Sequence, residues 1–324
     1  MSAASCSGRG VVVCVTGAGG YVASWLVKIL LARHYTVRGT VRDPEDQKCD
    51  HLKKLDKAAD NLKLFGADLL DYNALSAAIT GCHAVFHVAC PVPSDSVPNP
   101  QVEMVEPAIQ GTRNVLKACS EANVKRVVVV SSVGAVLVNP NWPEGQVKDE
   151  TCWSDTEYCK MINEWYGFSK TVAESEALEY AKENGLDVLT FSPSLVLGPM
   201  LQRVPNASSL VLIKLLKEGY QEVRYRNMVD VRDVAEALLL IYERPEAEGR
   251  YICTSHFAMT KDLVEILSKK YPNYKYPERF IEVKDSIGDA LSSEKLQRLG
   301  WRYRPLEETL VDSVESYKQA GLLD

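Results

Sequence analysis

The sequence predicts an α/β protein with a doubly wound parallel sheet and a smaller, partly interleaved C-terminal lobe. Short β-branched runs alternate with helical stretches, which is typical of a parallel sheet covered on both faces. A glycine-rich turn joins the first such run to the first helical stretch. After residue 200 the alternation changes, and this change indicates where a second lobe begins.

The main sheet is expected to contain six strands from the first part of the chain. They are predicted at residues 11–16, 36–41, 62–67, 84–89, 126–131 and 188–192. Residues 127–130 are four consecutive valines, as expected of a central strand buried on both faces. Helices are predicted near 21–33, 71–80, 101–122 and 162–184, and the pair Asn184-Gly185 is expected to end the last of them.

The second part of the chain is predicted to be mainly helical, with two strands. The strands are expected at 225–229 and 250–254. Helices are expected near 206–218, from 230–233 onward, and near 260–270, 286–299 and 305–320. We expect this lobe to return one or two strands to the main sheet.

Composition excludes several classes of function. The chain has 324 residues, a net charge of −6 and a pI near 5.6, which argues against a nucleic-acid binder because phosphate neutralisation needs clustered Lys and Arg. We see no apolar run of about 18 residues and no signal peptide, so a cytoplasmic protein without a membrane partner is expected. Nine cysteines without C-x-x-C spacing or histidine partners predict no metal site.

Cys152 and Cys159 are the one cysteine pair with a possible role. They lie seven residues apart, just before the helix predicted from 162, where a reversible disulfide could stiffen the chain. Two ordinary free thiols are the favoured interpretation, since reduced cysteines are usual in the cytosol.

The turn between the first strand and the first helix has the spacing Gly17-x-x-Gly20-x-x-Ala23. Glycines let the backbone turn tightly and approach a pyrophosphate, which the N-terminus of the following helix stabilises. A plain tight turn is the alternative, but the strand–turn–helix context favours nucleotide binding. We therefore predict a Rossmann-type dinucleotide-binding domain over residues 1–199 and a mainly substrate-binding lobe over 200–324.

The second strand predicts which dinucleotide is bound. NAD sites usually carry an acidic residue there for the ribose 2′-hydroxyl, whereas this strand ends at Arg42. Arg42 can fork onto a 2′-phosphate, with Arg38 or Lys48 assisting, so NADP(H) is favoured. Asp68 ends the third strand and could either contact the adenine or cap the next helix. Other positions expected at the cofactor are Tyr21, Val22, Leu69, Val88 and Ala89.

Tyr166 and Lys170 indicate the chemistry. Four residues apart on a predicted helix, they share one face. A cation beside a phenol favours the phenolate, so such a pair can exchange a proton with an alcohol or carbonyl oxygen. Ser131-Ser132 ends the fifth strand at the carboxyl edge of the sheet, where a hydroxyl could stabilise charge on the same oxygen. His87 is expected to be a core histidine.

Together these motifs resemble the extended short-chain dehydrogenase/reductase family. More narrowly, they are similar to the plant group of dihydroflavonol reductases, cinnamoyl-CoA reductases and related aldehyde reductases. The matching stretches are residues 13–20, 35–44, 85–89, 149–155, 193–199 and 225–233. The resemblance implies Ser132, Tyr166 and Lys170 as the catalytic triad, with Lys170 also holding the nicotinamide ribose. It further implies Asn114 as a fourth catalytic residue, Pro193 and Val196 at the nicotinamide, and Arg42 and Lys48 at the 2′-phosphate.

Departures from the family pattern bear on the substrate. Cinnamoyl-CoA reductases typically read Asn-Trp-Tyr-Cys-Tyr-Gly-Lys, whereas this chain has Gly167, Phe168 and Ser169 between Tyr166 and Lys170. They also tend to carry a histidine three residues before a lysine, where this chain has Val211 and Lys214. Leu137 stands where dihydroflavonol reductases carry Asn or Asp. These departures favour the aldehyde reductases of the group.

We therefore predict an NADPH-dependent carbonyl reductase that reduces hydroxycinnamaldehydes such as coniferaldehyde, as a monomer or weak homodimer. The alternative is reduction of hydroxycinnamoyl-CoA thioesters to aldehydes, and a further one is an epimerase or dehydratase with tightly held cofactor. A non-catalytic dinucleotide sensor is disfavoured by the intact triad. An apolar slot for an aromatic substrate is expected from Val133, Leu137, Tyr158, Met161, Met200, Val211, Tyr225 and Met228, although core packing alone could explain about half of these residues.

Overall fold

A seven-stranded parallel sheet is the central element of the computed structural model, which describes residues 8–90, 98–217, 220–277, 279–282 and 289–323. The strands are β1 Val12–Thr16, β2 Thr36–Val41, β3 Leu62–Gly66, β4 Ala84–His87, β5 Arg126–Val130, β6 Val188–Pro193, β7 Leu195–Leu197, β8 Tyr220–Val223, β9 Tyr225–Asp230, β10 Gly249–Cys253, β11 His256–Met259 and β12 Arg279–Glu282. The main sheet has the order β10-β6-β5-β4-β1-β2-β3. Its order reverses between β1 and β4, which is the switch point where doubly wound sheets bind ligands.

Helices cover both faces of this sheet, and others pack in the C-terminal part of the chain. They are α1 Tyr21–Ala32, α2 Asp50–Lys53, α3 Ala58–Asn61, α4 Tyr72–Ile79, α5 Glu106–Glu121, α6 Gly134–Leu137, α7 Thr156–Met161, α8 Trp165–Asn184, α9 Ala207–Lys217, α10 Val231–Glu243, α11 Thr260–Lys270, α12 Glu294–Arg298 and α13 Leu306–Gln319. Single turns of 3₁₀-helix and π-helix occupy Gln47–Cys49 and Gln101–Val105. Across the described ranges, no helix has both the length and the apolarity needed to cross a bilayer.

Buried residues form one hydrophobic core on each face of the main sheet, because successive side chains of a strand point to opposite faces. Val13 and Val15 of β1 pack with α1 and α10 on one face, whereas Cys14 packs with α4 and α5 on the other. Successive side chains of a strand point to opposite faces, so a strand covered on both sides must be apolar throughout. The predicted doubly wound α/β class is confirmed, and β5 lies in the interior of the sheet between β4 and β6.

The C-terminal part of the chain is interleaved with the main sheet. β10 pairs in parallel with β6 at the edge of the seven-stranded sheet. In the other direction, β7 leaves the first part of the chain to join β9 and β11 in a three-stranded sheet. A third core of α9, α11 and α13 packs under this small sheet, around residues such as Leu212, Leu267 and Tyr317.

Two predicted helices differ from the structure. The helix expected at 286–299 is reduced to α12, with residues 283–288 outside the described ranges; Leu291 instead forms a parallel bridge with Lys148. The helix expected at 162–184 begins at Trp165, because Asn163 has a φ of +59° and separates it from α7. Gly185 ends α8 with a φ of +64°, as expected of a glycine stop.

Candidate active site

The glycine-rich turn after β1 lies at the switch point of the sheet. Gly17 has a φ of +64°, and a Cβ added there would come within 2.9 Å of the Ala89 Cβ. The Gly17 N–H donates to Thr40 Oγ1 at 3.2 Å, and the Ala89 N–H donates to Thr16 Oγ1 at 3.0 Å. Two threonine hydroxyls therefore hold the turn between β2 and the end of β4.

The start of α1 fits a pyrophosphate. Gly20 is the N-cap residue and has no side chain to cap the first N–H groups of the helix, which lack intrahelical acceptors. The predicted positions Tyr21 and Val22 open this helix, and the Tyr21 hydroxyl donates to the Gly198 carbonyl at 2.8 Å. The main chain at the helix start can thus bind a phosphate, while the Tyr21 side chain ties α1 to the main chain just after β7.

The basic residues of the second strand have different surroundings. Arg42 lies exposed just beyond the end of β2, and Lys48 is exposed and paired with Asp46 at 3.9 Å. In contrast, Arg38 donates to the carbonyls of Ala78 and Thr80, at 3.2 and 2.6 Å. The prediction of Arg38 as a phosphate ligand is wrong for a simple reason: its guanidinium caps the C-terminus of α4.

We expect Arg42→Ala to raise the KM for NADPH about 10- to 100-fold, because charge-assisted bonds to a 2′-phosphate are lost. The KM for NADH, which lacks that phosphate, should change little. Arg38→Ala is the matched variant: it should lower the melting temperature and leave the KM for NADPH within about threefold. Steady-state kinetics with both cofactors check this, and an equal rise of both KM values in the Arg42 variant would contradict it.

The remaining cofactor positions surround the same edge of the sheet. Asp68 is exposed and accepts from the Leu70 N–H, whereas the N-cap of α4 is Asp71, so the capping alternative for Asp68 is wrong. Leu69 and Ala89 line a cavity beside Lys170, and the Pro193 carbonyl accepts from the Val133 N–H at 3.1 Å. Val88 is half-buried, and Val196 pairs with Val229 in the small sheet.

Tyr166 and Lys170 lie on α8 beside the end of β5. The Lys170 Nζ is 5.9 Å from the centre of the Tyr166 ring. A Cβ added to Gly134 would come within 3.3 Å of that ring, so the turn after Ser132 packs directly against it. Ser132 Oγ accepts from the Gly134 N–H at 3.1 Å and keeps its own proton to donate. The structure therefore brings the three predicted catalytic residues together.

Lys170 is almost completely buried, and the groups around it keep it charged. Burial lowers the pKa of Lys170, but the facing Cys90, Tyr166 and Glu174 side chains outweigh this and raise the pKa above its usual value. His87 lines the same cavity and bonds through Nδ1 to Thr16 Oγ1 at 3.0 Å. Burial and the Lys170 ammonium lower the pKa of His87 to about 3, so it is a neutral core histidine, as predicted.

Asn114 is bonded to neighbours on and beside α5. Its amide donates to the Leu69 carbonyl at 2.9 Å and accepts from Gln110 at 2.8 Å. The α5 residues that line the Lys170 cavity are Ala108 and Thr112, one turn apart. Position 114 lies about 200° around the helix from 112, and Asn114 is not among the residues that line this cavity, so its catalytic role stays a prediction.

The predicted substrate residues do not form one apolar slot. Val133 and Leu137 pack together near the active site, in a cluster with Val136, Cys152, Ile252 and Leu291. Met161 is 69% exposed at the end of α7, and Tyr225 is 37% exposed and stacks on Phe257. Three further members lie in or against the lobe: Met228 is buried in its core, Met200 packs against that core, and Val211 lines a cavity of α9 and α11 that shares no residue with the Lys170 cavity. Tyr158 is half-buried on α7.

The cysteine pair is reduced in the structure. Cys152 and Cys159 are free, completely buried thiols that belong to two different hydrophobic clusters. The Cys152 thiol donates to the Val136 carbonyl, which places it in the packing behind the Ser132 turn.

Sequence reasoning missed a buried ion pair next to the catalytic helix face. Glu174 is 1% exposed and pairs with Arg250 of β10 at 2.8 Å. Its position could have been predicted from spacing. Glu174 follows Lys170 by four residues, as Lys170 follows Tyr166, so all three lie on one face of the helix.

Comparison with known proteins agrees with this geometry. Residues 13–253 match the family described as the NAD dependent epimerase/dehydratase family. The chain belongs to that family. Cinnamoyl-CoA reductase 1 of Petunia hybrida is 49% identical over 97% of this chain and 94% of its own length. The family comprises the extended short-chain dehydrogenases/reductases, so the predicted membership is confirmed.

Two solved structures extend the comparison. Vestitone reductase from alfalfa is 31% identical with a TM-score of 0.81, over 96% of this chain and 99% of its own. The yeast methylglyoxal/isovaleraldehyde reductase complexed with NADPH is 25% identical with a TM-score of 0.84, over 97% of this chain and all of its own. The protein is an NADP-dependent oxidoreductase of this family, and NADP(H) is its cofactor.

Proposed function

We propose that this reductase converts hydroxycinnamoyl-CoA thioesters to hydroxycinnamaldehydes. The observation that carries the proposal is the 49% identity to a cinnamoyl-CoA reductase over nearly the whole of both chains. Ser132, Tyr166 and Lys170 lie together at the carboxyl edge of the sheet, as carbonyl reduction requires. The alternative prediction is therefore preferred over the reduction of hydroxycinnamaldehydes.

The two departures that favoured an aldehyde substrate leave the catalytic side chains themselves unchanged. Val211 lines an apolar cavity between α9 and α11 that is separate from the Lys170 cavity. A Cβ added to Gly167 would meet the Gly134 carbonyl at 3.0 Å, so this glycine serves close packing of α8 on α6. Neither residue removes a proton donor or a charge from the triad, and neither argues against a thioester.

The chain's own residues would act as follows. The glycine turn and the start of α1 hold the pyrophosphate, Arg42 holds the 2′-phosphate, and Lys170 orients the nicotinamide ribose. When bound, NADPH supplies a hydride to the thioester carbonyl carbon. Ser132 donates a hydrogen bond to the carbonyl oxygen, and Tyr166 transfers a proton to that oxygen. The carbon would then carry both the hydroxyl and the CoA sulfur. As the C–S bond breaks, the hydroxyl would return its proton to the Tyr166 oxygen to give the aldehyde, and the departing CoA thiolate would take up a proton and leave as the thiol.

Initial rates with feruloyl-CoA and coniferaldehyde, measured side by side as NADPH oxidation, test the proposal. We expect kcat/KM for the thioester to exceed that for the aldehyde at least tenfold, which corresponds to about 1.4 kcal/mol of transition-state stabilisation. Thiol titration of quenched samples should give one CoA thiol for each NADPH oxidised. Two NADPH per thiol would show further reduction of the aldehyde.

Other outcomes would overturn the proposal. Turnover of the aldehyde alone would favour the reduction of hydroxycinnamaldehydes as the function. No net NADPH turnover with either substrate, together with a nucleotide that copurifies with the protein, would indicate an epimerase or dehydratase instead.

A further inference from the structure

A buried ion pair joins the catalytic helix to three other parts of the active site. Glu174 Oε2 accepts from Ser131 Oγ at 2.6 Å, and Glu174 Oε1 accepts from Thr190 Oγ1 and from Arg250 Nε, both at 2.8 Å. A third hydroxyl, Ser192 Oγ, lies 3.4 Å from Oε2. Both strands beside the site are thus tied to a carboxylate on α8, β5 through Ser131 just after its end and β6 through Thr190 in its middle.

Arg250 extends this connection to the loop before the catalytic helix. Its Nη1 donates to the carbonyls of Glu150 and Cys152, at 2.7 and 2.8 Å. Its Nη2 lies 3.5 Å from the carbonyl of Ala135, in the helical turn that follows Ser132. The guanidinium centre stacks 3.5 Å above the Trp153 ring. One cation therefore holds the main chain of the helical turn after Ser132 and of the loop at 150–152.

We infer that Glu174 and Arg250 are positioning residues for the reductase reaction, which hold the Ser132 turn in register with Tyr166 and Lys170. Removing one member of a buried ion pair leaves the other charge buried without a partner, which is strongly destabilising. The hydrogen bonds of both members are therefore needed to keep the pair buried. Here the bonds to Ser131 and Ala135 lie on either side of Ser132, and Glu174 itself lies one helical turn beyond Lys170. The inference rests on the proposed roles of Ser132, Tyr166 and Lys170.

The charge of Glu174 has an effect on the pKa of Lys170 that packing alone would not have. The groups that face Lys170 in the described residues are Tyr166 and Glu174 on α8, and His87 and Cys90 at the end of β4. The carboxylate of Glu174 helps to raise the pKa of Lys170. Removing that negative charge while Arg250 remains should let Lys170 lose its proton at lower pH.

Three variants separate positioning from stability. Arg250→Lys keeps the positive charge but loses the paired hydrogen bonds to the Glu150 and Cys152 carbonyls and the stacking on Trp153. Glu174→Gln keeps the shape and loses the charge. Arg126→Lys is the control, because Arg126 pairs with Asp187 at 2.7 Å and donates to the carbonyl of Arg244 at 2.6 Å. Arg126 begins β5, about 17 Å along the strand from Ser131.

We expect Arg250→Lys to lower kcat about 10- to 100-fold while the KM for NADPH stays within about threefold. Arg126→Lys should lower the melting temperature by a similar amount and leave kcat within about twofold. In Glu174→Gln, the alkaline limb of the kcat/KM profile should move to lower pH, whereas in Arg250→Lys it should not move. Stopped-flow or steady-state rates, thermal melts and NADPH binding by fluorescence quenching supply the readouts.

Equal kcat losses in the Arg250 and Arg126 variants would overturn the inference, as would an unshifted pH limb in Glu174→Gln. Failure of the proposed catalytic roles is separable: Tyr166→Phe measured in the same assay would then retain activity. If Tyr166→Phe is inactive and Arg250→Lys is fully active, only the positioning role fails.

Discussion

Tyr166→Phe is expected to lower kcat about 10²- to 10⁴-fold, the usual range for loss of a general acid. The substitution removes one hydroxyl from a ring that packs against Gly134, so the packing of α8 on α6 should persist. The charged, buried Lys170 remains, and NADPH binding should change little. Rates of NADPH oxidation with feruloyl-CoA, together with NADPH titration by fluorescence quenching, check both parts.

Tyr180→Phe is the matched control for this prediction. It removes the same atom from the same helix, about four turns beyond Tyr166 and outside the site. Its kcat should stay within about twofold of the unmodified protein. A Tyr166→Phe enzyme with kcat within threefold of normal would show that another group supplies the proton.

Gly17→Ala is expected to raise the KM for NADPH on the order of 10- to 100-fold. Two effects combine: a left-handed conformation costs an L-residue about 1–2 kcal/mol, and the new Cβ would lie 2.9 Å from the Ala89 Cβ. Relief of this contact requires the turn to move away from the end of β4. The pyrophosphate would then lose its close approach to the main chain.

Gly185→Ala is the matched control, because it tests the cost of the left-handed backbone without a new side-chain contact. Gly185 has the same φ of +64°, but no heavy atom lies within 4 Å of its added Cβ. Both variants should lose thermal stability, Gly17→Ala the more because its added Cβ also meets Ala89, whereas only Gly17→Ala should lose affinity for NADPH. Thermal melts and cofactor titrations of the two proteins decide this. Equal KM values would place the pyrophosphate elsewhere.

Strands of the main sheet were predictable because burial on both faces leaves a continuous apolar signal. The six predicted strands of the first part agree with the structure to within two residues. The strand expected at 250–254 is β10, but its partner β6 lies some sixty residues earlier in the chain. The hydrophobic pattern predicts that a segment is a strand. It does not predict which distant strand that segment pairs with, because pairing depends on tertiary contacts.

The helix predicted at 286–299 shows where local pattern is overridden. The Lys148 N–H donates to the Ala290 carbonyl, and the Ser292 N–H donates to the Lys148 carbonyl. These bonds hold the main chain around Leu291 extended before α12 begins at Glu294. Helix propensity amounts to less than about 1 kcal/mol per residue, so long-range hydrogen bonds and burial can decide such a segment.

By itself, the sequence determined the α/β class, the nucleotide turn, the preference for NADP(H) and the Tyr166–Lys170 pair, because each depends on residue types and spacings along the chain and not on which distant segments meet. Tertiary structure decided the rest of the site. It turns Arg38 onto the end of α4 and Asn114 onto Leu69, and it unites Glu174 with Arg250 across 76 residues of chain. Side-chain direction around a helix or at a strand end is set by the partners it meets, and those partners come from distant segments.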